Sequence, residues 1–196
     1  MDKDNKILEG EYTYKVAAFY SFTSLSRDNV LRLKDELNTL SQQETILGTI
    51  LLGLEGVNGT VCGSTNAINF FIEHLMGAIE NNNLNLKISW SNKQAFKRFK
   101  IKTKAEIVTM GIPGVDPSSQ AGRYVDPREW NSFLNDEETI VVDTRNSYEI
   151  SIGTFKGSVN PKTDCFRDFP ARVDENLLQK NAQTSPKRIA MFCTGG

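Results

Sequence analysis

Thr45-Ile46-Leu47-Gly48-Thr49-Ile50-Leu51-Leu52, then Glu55-Gly56-Val57-Asn58-Gly59, then Thr60-Val61-Cys62 is the stretch whose reading decides the fold. An apolar run, a glycine-bearing connection and a second short apolar run describe a β-hairpin. Glu-Gly and Asn-Gly place its turn within 55–59. Upstream, Tyr14 to Phe22 reads as a buried strand. Val30, Leu33, Leu37 and Leu40 then recur at helical spacing behind Ser26, which is placed to cap the N-terminus. Downstream, a second helix starts near Asn66 with Ile68, Phe71, Ile72, Leu75, Met76 and Ile79 on one face, and Asn81-Asn82-Asn83 ends it. Leu86 to Trp90 is a fourth strand. The order β-α-β-β-α-β is the split βαβ, or ferredoxin-like, pattern.

A basic segment follows this pattern. Between Lys93 and Lys104 six residues are cationic and none is acidic. From Arg98 onward, Phe99 and Ile101 alternate with Arg98, Lys100 and Lys102, as in a half-buried strand with a basic outer face. Lys97, Arg98, Lys100 and Lys102 are either a solvated strand face or candidates for contact with nucleic-acid phosphates such as those of RNA. Phe96 and Phe99 either stack on bases or fill the core, and the core is the plainer reading. Gly111-Ile112-Pro113-Gly114-Val115-Asp116-Pro117-Ser118-Ser119 reads as a linker. The expected organisation is a polar tail over 1–12, a ferredoxin-like domain over 13–105, a linker over 106–122 and a second domain over 123–196.

In the second domain Asp126-Pro127 marks a helix start, with Trp130, Phe133 and Leu134 as its apolar face. Thr139 to Val142 is an apolar strand leading into Asp143-Thr144-Arg145. Ser147 to Ile152 reads as a short helix, Ser158-Val159 as a short strand, Phe166 to Lys180 as a polar helix and Ile189 to Phe192 as a final strand. Strands alternating with helices indicate a parallel α/β sheet. Functional groups in such sheets gather at the carboxyl ends of strands, where Asp143 and Cys193 both lie.

Composition narrows the field. Of 196 residues, 39% are hydrophobic and 24% charged, with a net charge of -1. No global field drives binding to nucleic acid or membrane, so an electrostatic partner must be met by a local patch. No run approaches the roughly 18 apolar residues of a membrane span, and the N-terminus has no signal-peptide pattern. Cys62, Cys165 and Cys193 are odd in number and widely spaced. That speaks against a disulfide framework and for a reducing, cytoplasmic setting. With one histidine, His74, and no CxxC pair, no metal site is expected. His74 lies off the apolar stripe and is expected in solvent.

The chain closes on Ile189-Ala190-Met191-Phe192-Cys193-Thr194-Gly195-Gly196. A strand that delivers a thiol into a Gly-bearing loop is a way to activate it, because inward-pointing backbone N–H groups lower a thiol pKa. Thr194, Gly195 and Gly196 would form that active-site loop around Cys193. An inert buried cysteine fits the local pattern equally well.

Four segments occur in order: Tyr124-Val125-Asp126-Pro127-Arg128-Glu129-Trp130-Asn131, Val141-Val142-Asp143-Thr144-Arg145-Asn146-Ser147-Tyr148-Glu149, Gly153-Thr154-Phe155-Lys156-Gly157-Ser158, and Cys193-Thr194-Gly195-Gly196. They resemble a rhodanese domain in order and spacing. With Glu55-Gly56-Val57-Asn58-Gly59-Thr60, Phe96 to Lys102 and Glu106-Ile107-Val108-Thr109-Met110-Gly111, the chain resembles the rhodanese-containing tRNA uridine-34 hydroxylase family from about Tyr14 onward. The resemblance implies an α/β protein with a ferredoxin-like domain followed by a rhodanese-like domain. It implies hydroxylation at C5 of the wobble uridine of tRNA, with molecular oxygen as co-substrate and 5-hydroxyuridine as product. It also implies Cys193 as thiolate or persulfide centre and no metal or flavin.

Two departures stand out. Gly153-Thr154 replaces the family's Gly-His pair. Only about 70 residues follow Asp126, fewer than a rhodanese domain needs, so that domain is expected to be incomplete and this chain by itself inactive. Asp143 and Arg145 are expected to support the loop through ion pairs or hydrogen bonds rather than take part in chemistry. Cys165 is either a resolving thiol for Cys193 or a plain cysteine, and Cys62 a packing residue. Two other functions remain open: a sulfurtransferase carrying sulfane sulfur on Cys193, and a non-catalytic RNA-binding module.

Overall fold

A computed structural model describes residues 12–79, 84–115, 117, 122–173 and 188–194. Most of the N-terminal tail, Asn81–Asn83, residues 116 and 118–121 of the linker, residues 174–180 of the expected polar helix, and Gly195 and Gly196 lie outside the described residues. The chain divides into two compact units between Val108 and Thr109.

The first unit contains β1 (Tyr14–Phe22), α1 (Arg27–Gln43), β2 (Leu47–Gly53), β3 (Gly56–Gly63), α2 (Thr65–Ala78), β4 (Asn85–Ser91) and β5 (Phe99–Thr103). The sheet order is β4-β1-β3-β2-β5. The first four strands pair antiparallel, and β5 adds to the edge parallel to β2. The βαββαβ order read in the sequence is therefore the observed one.

Local chemistry explains the helices. Ser26 Oγ accepts from the Asn29 amide at 3.1 Å and Ser64 Oγ from the Ala67 amide at 3.3 Å, so each helix opens on a serine cap. Val30, Leu33, Leu37 and Leu40 of α1 and Ile68, Phe71, Ile72 and Leu75 of α2 meet Ala17, Phe19, Ile50, Leu52, Val57 and Val61 in one core. Burying an apolar side chain in such a core is worth about 1.5–3 kcal/mol. Both helices thus cover the same face of the sheet.

The hairpin differs from its expected form. β2 ends at Gly53 and β3 begins at Gly56, so Leu54-Glu55 makes the turn, and Asn58-Gly59 lies inside β3. Gly59 serves close packing there: a Cβ would come within 2.9 Å of the Thr49 carbonyl oxygen and 3.1 Å of the Phe19 ring. Asn58 uses its side chain at long range, donating from Nδ2 to the Ile107 carbonyl at 3.0 Å. The Ile107 amide in turn donates to Glu55 Oε1 at 2.6 Å. These two bonds hold the segment after β5 against the hairpin.

The second unit contains α3 (Trp130–Leu134), β6 (Thr139–Asp143), α4 (Ser147–Ile152), a 3-10 turn over Phe166–Asp168, α5 (Phe169–Val173) and β7 (Arg188–Phe192). β6 and β7 run parallel, with Asp143 opposite Phe192. Val159 bridges to Val142 in parallel. Its amide donates to the Val141 carbonyl at 2.8 Å, and its carbonyl accepts from the Asp143 amide at 3.0 Å. The helix expected from Asp126 begins instead at Trp130. Asp126 Oδ1 accepts from the Arg128 amide at 2.8 Å, so the aspartate caps a turn ahead of the helix.

Candidate active site

β7 ends at Phe192, and Cys193 follows it exposed to solvent. β6 ends beside it at Asp143, whose side chain is fully buried. The parallel register sets both residues at the carboxyl end of the pair, where the sequence placed them.

Asp143 is held by several donors. Arg145 presents its guanidinium in a fork, Nε to Oδ1 at 2.9 Å and Nη2 to Oδ2 at 2.7 Å. The Arg145 amide donates to Oδ1 at 3.1 Å and Thr154 Oγ1 donates to Oδ2 at 2.6 Å. A carboxylate has about four acceptor sites, and these four bonds occupy them. Burial alone would raise the Asp143 pKa. The bonds from Arg145 and Thr154 outweigh it and hold the carboxyl below its ordinary value, while the same pairing raises the Arg145 pKa. With its acceptor sites filled, Asp143 is suited to fix its neighbours and not to take a substrate proton.

That anchoring reaches Cys193 from both sides. Arg145 Nη2 also donates to the Gly153 carbonyl at 2.7 Å, and the guanidinium carbon lies 5.5 Å from the Phe192 ring centroid. The Phe192 carbonyl accepts from the Thr144 amide at 3.0 Å and from Thr144 Oγ1 at 2.9 Å. The Phe192 ring packs edge-on against Phe155 at 4.9 Å and near Trp130 at 5.9 Å. On the far side, Thr194 Oγ1 donates to Glu149 Oε1. The other oxygen of Glu149 accepts from the Asn146 amide in a capping box at the start of α4. A thiol whose two neighbours are hydrogen-bonded to the end of β6 and to α4 is held in a defined direction, as a reacting group requires.

Two of these residues escaped the sequence reading as supports. Thr154, at the position of the expected histidine, is a direct donor to Asp143. Glu149 is the acceptor for Thr194, and the Asn146-x-x-Glu149 spacing is a capping-box signal that points to it. Of the other candidates, Cys165 is exposed and its thiol donates to Asp168 Oδ2 at 3.3 Å. Cys62 is buried. His74 Nε2 is 3.2 Å from Glu36 Oε2 on α1, so it is paired and not simply solvated. Lys97, Arg98, Lys100 and Lys102 are all exposed, the last two on the edge strand β5. Phe99 turns to the core and meets Phe71 edge-on at 6.3 Å. Among the described residues no cluster of three or more His, Cys, Asp or Glu side chains could hold a metal ion. No described helix is long and apolar enough to cross a membrane.

Residues 14–107 match the UPF0176 acylphosphatase like domain. A protein named tRNA uridine(34) hydroxylase from Prochlorococcus marinus strain MIT 9313 is 48% identical, over 93% of this chain and 59% of its own length. One of the same name from strain NATL1A is 46% identical over 100% of this chain and 61% of its own length. The chain therefore spans about three fifths of the length of these curated relatives. An acylphosphatase from Coxiella burnetii of solved structure is 12% identical over 47% of this chain and 96% of its own, with a TM-score of 0.35.

Proposed function

We propose that the chain belongs to the family of proteins named tRNA uridine(34) hydroxylase, and that the whole protein hydroxylates the wobble uridine of tRNA. The observation that carries the proposal is the identity of nearly half along essentially all of this chain. In this reading molecular oxygen is the co-substrate and 5-hydroxyuridine the product, and the protein works in the cytoplasm, where its tRNA substrate is. Cys193 is the reacting residue, as thiolate or carrying a persulfide. Thr194 opens the loop that follows it. Asp143, Arg145, Thr154 and Glu149 are positioning residues that act through Phe192 and Thr194. Lys97, Arg98, Lys100 and Lys102 contact tRNA phosphates.

The exposure of Cys193, with its neighbours pinned on either side, supports a reactive thiol over a packing cysteine. The experiment is nucleoside mass spectrometry of tRNA from cells lacking the protein. Loss of 5-hydroxyuridine and its derivatives at position 34 is the expected result, and unchanged nucleosides would overturn the proposal. Unchanged nucleosides together with thiosulfate:cyanide sulfur transfer that disappears in Cys193→Ser would assign the site to sulfur transfer instead.

A further inference from the structure

The sheet of the first unit buries one face under α1 and α2, and among the described residues no helix covers the other. Strand register places two rows of side chains across that second face. One row runs Lys87, Ala18, Thr60, Thr49, Lys100, and the next runs Asn85, Tyr20, Asn58, Leu51, Lys102. Lys87 stands on one edge strand, β4, and Lys100 and Lys102 on the other, β5. All three are exposed, as is Thr49 between them. None of the ten positions is acidic, in a chain with 24 acidic and 23 basic residues. The local charge is thus separated from the near-neutral whole.

Tyr20 sits in the interior of the second row. Its hydroxyl accepts from Asn85 Nδ2 at 3.2 Å, and its ring meets Phe22 edge-on at 6.2 Å. Those neighbours fix the ring's orientation while leaving it partly accessible. Next to it, the Asn58 amide is committed to the Ile107 carbonyl, so the segment carrying Ile107 walls off that end of the face. The edge lysines are four strand spacings apart, ~19 Å.

Paired RNA hides its base faces inside the helix and offers mainly phosphates and ribose hydroxyls. Unpaired nucleotides offer phosphates and free base faces together. A fixed aromatic between two cationic edges matches the second chemistry. We infer that this helix-free face binds unpaired nucleotides of RNA, with Tyr20 as the stacking platform and Lys87, Lys100 and Lys102 as phosphate contacts. The inference rests on RNA being the protein's substrate and is independent of the chemistry at Cys193. It extends the basic edge of β5 across the whole sheet.

The test compares binding of the full-length protein to a single-stranded uridine oligonucleotide and to a fully paired RNA duplex. Tyr20→Leu weakens single-strand binding roughly tenfold, the scale of one lost base–aromatic stack, and leaves duplex binding within twofold. Tyr20→Phe retains single-strand binding. Lys100→Ala and Lys102→Ala each lower the salt dependence of single-strand binding by about 0.7 in the log–log slope. Should Tyr20→Leu fail to fold, photo-cross-linking of the wild-type protein to the oligonucleotide replaces it, with the cross-link expected on the β1 peptide at Tyr20. Equal affinities for Tyr20→Leu and wild type would overturn the inference. So would equal losses for single strand and duplex, cross-links confined to other peptides, or no single-strand binding, as when another protein segment covers the face. Hydroxylation of tRNA is scored on the same preparations. Active protein with Tyr20-independent binding sinks this surface alone, whereas inactive wild-type protein with Tyr20-dependent binding sinks the hydroxylase reading alone.

Discussion

Thr154 ties a strand end to the loop eleven residues beyond it through one hydroxyl. Replacing it by valine removes a donor from a buried carboxylate, and Thr154→Val is expected to lower stability by about 1 kcal/mol in urea unfolding. The same bond shapes the acid limb of stability. Asp143 has a folded pKa below its ordinary value of 3.8. Its contribution is complete above the unfolded value and is lost as pH falls through the lower folded one. The urea midpoint of wild type should therefore hold steady down to about pH 4 and fall below it. In Thr154→Val the fall should start at the same pH but be smaller and end at a higher pH, because losing one of the bonds that favour the charged form raises the folded pKa toward the unfolded one. An identical acid limb in both proteins would contradict this account of Asp143. The sequence exposed Asp143 and Arg145 because they close an apolar strand. Thr154 was hidden, since its role depends on a fold that brings Gly153 back to Arg145.

The hairpin is where local signals misled. Asn-Gly is a strong turn pair, but in β3 both residues are committed to longer-range contacts, Asn58 to Ile107 and Gly59 to Thr49 and Phe19. Packing across the sheet outweighed turn propensity. Gly56, just after the true turn, has φ +140, and a Cβ there would collide with the Ser21 carbonyl oxygen. Gly56→Ala is expected to cost about 2 kcal/mol or more, from strain and overpacking together. Gly77 is the contrast: it lies in α2 with open space around it. Gly77→Ala should raise stability by about 0.5–1 kcal/mol, measured by the same unfolding curves. The helices were legible because their caps and apolar periods are local. The parallel pairing of β5 with β2 was not, because Gly48 and Phe99 meet only once the chain has folded.

Among the described residues the two units differ in how much they bury. Those of the first include eighteen buried in one core. Among the described residues of the second, the core cluster has two, Val142 and Phe169, with Ile140, Val159, Phe166 and Val173 packed around them. Opening free energy follows buried apolar contacts. Amide exchange should be slowest in β1 and β3 and faster by orders of magnitude in β6 and β7, and brief proteolysis should leave a fragment ending near Val108. Comparable protection in both units would show that the second is stabilised by contacts of another kind.

The proposed role of Cys193 as the reacting residue in hydroxylation of the wobble uridine is tested by complementing a deletion strain with wild type and with Cys193→Ser at matched protein levels, read by nucleoside mass spectrometry at position 34. Wild type is expected to restore 5-hydroxyuridine and its derivatives, and Cys193→Ser to restore none. Restoration by Cys193→Ser would contradict that role.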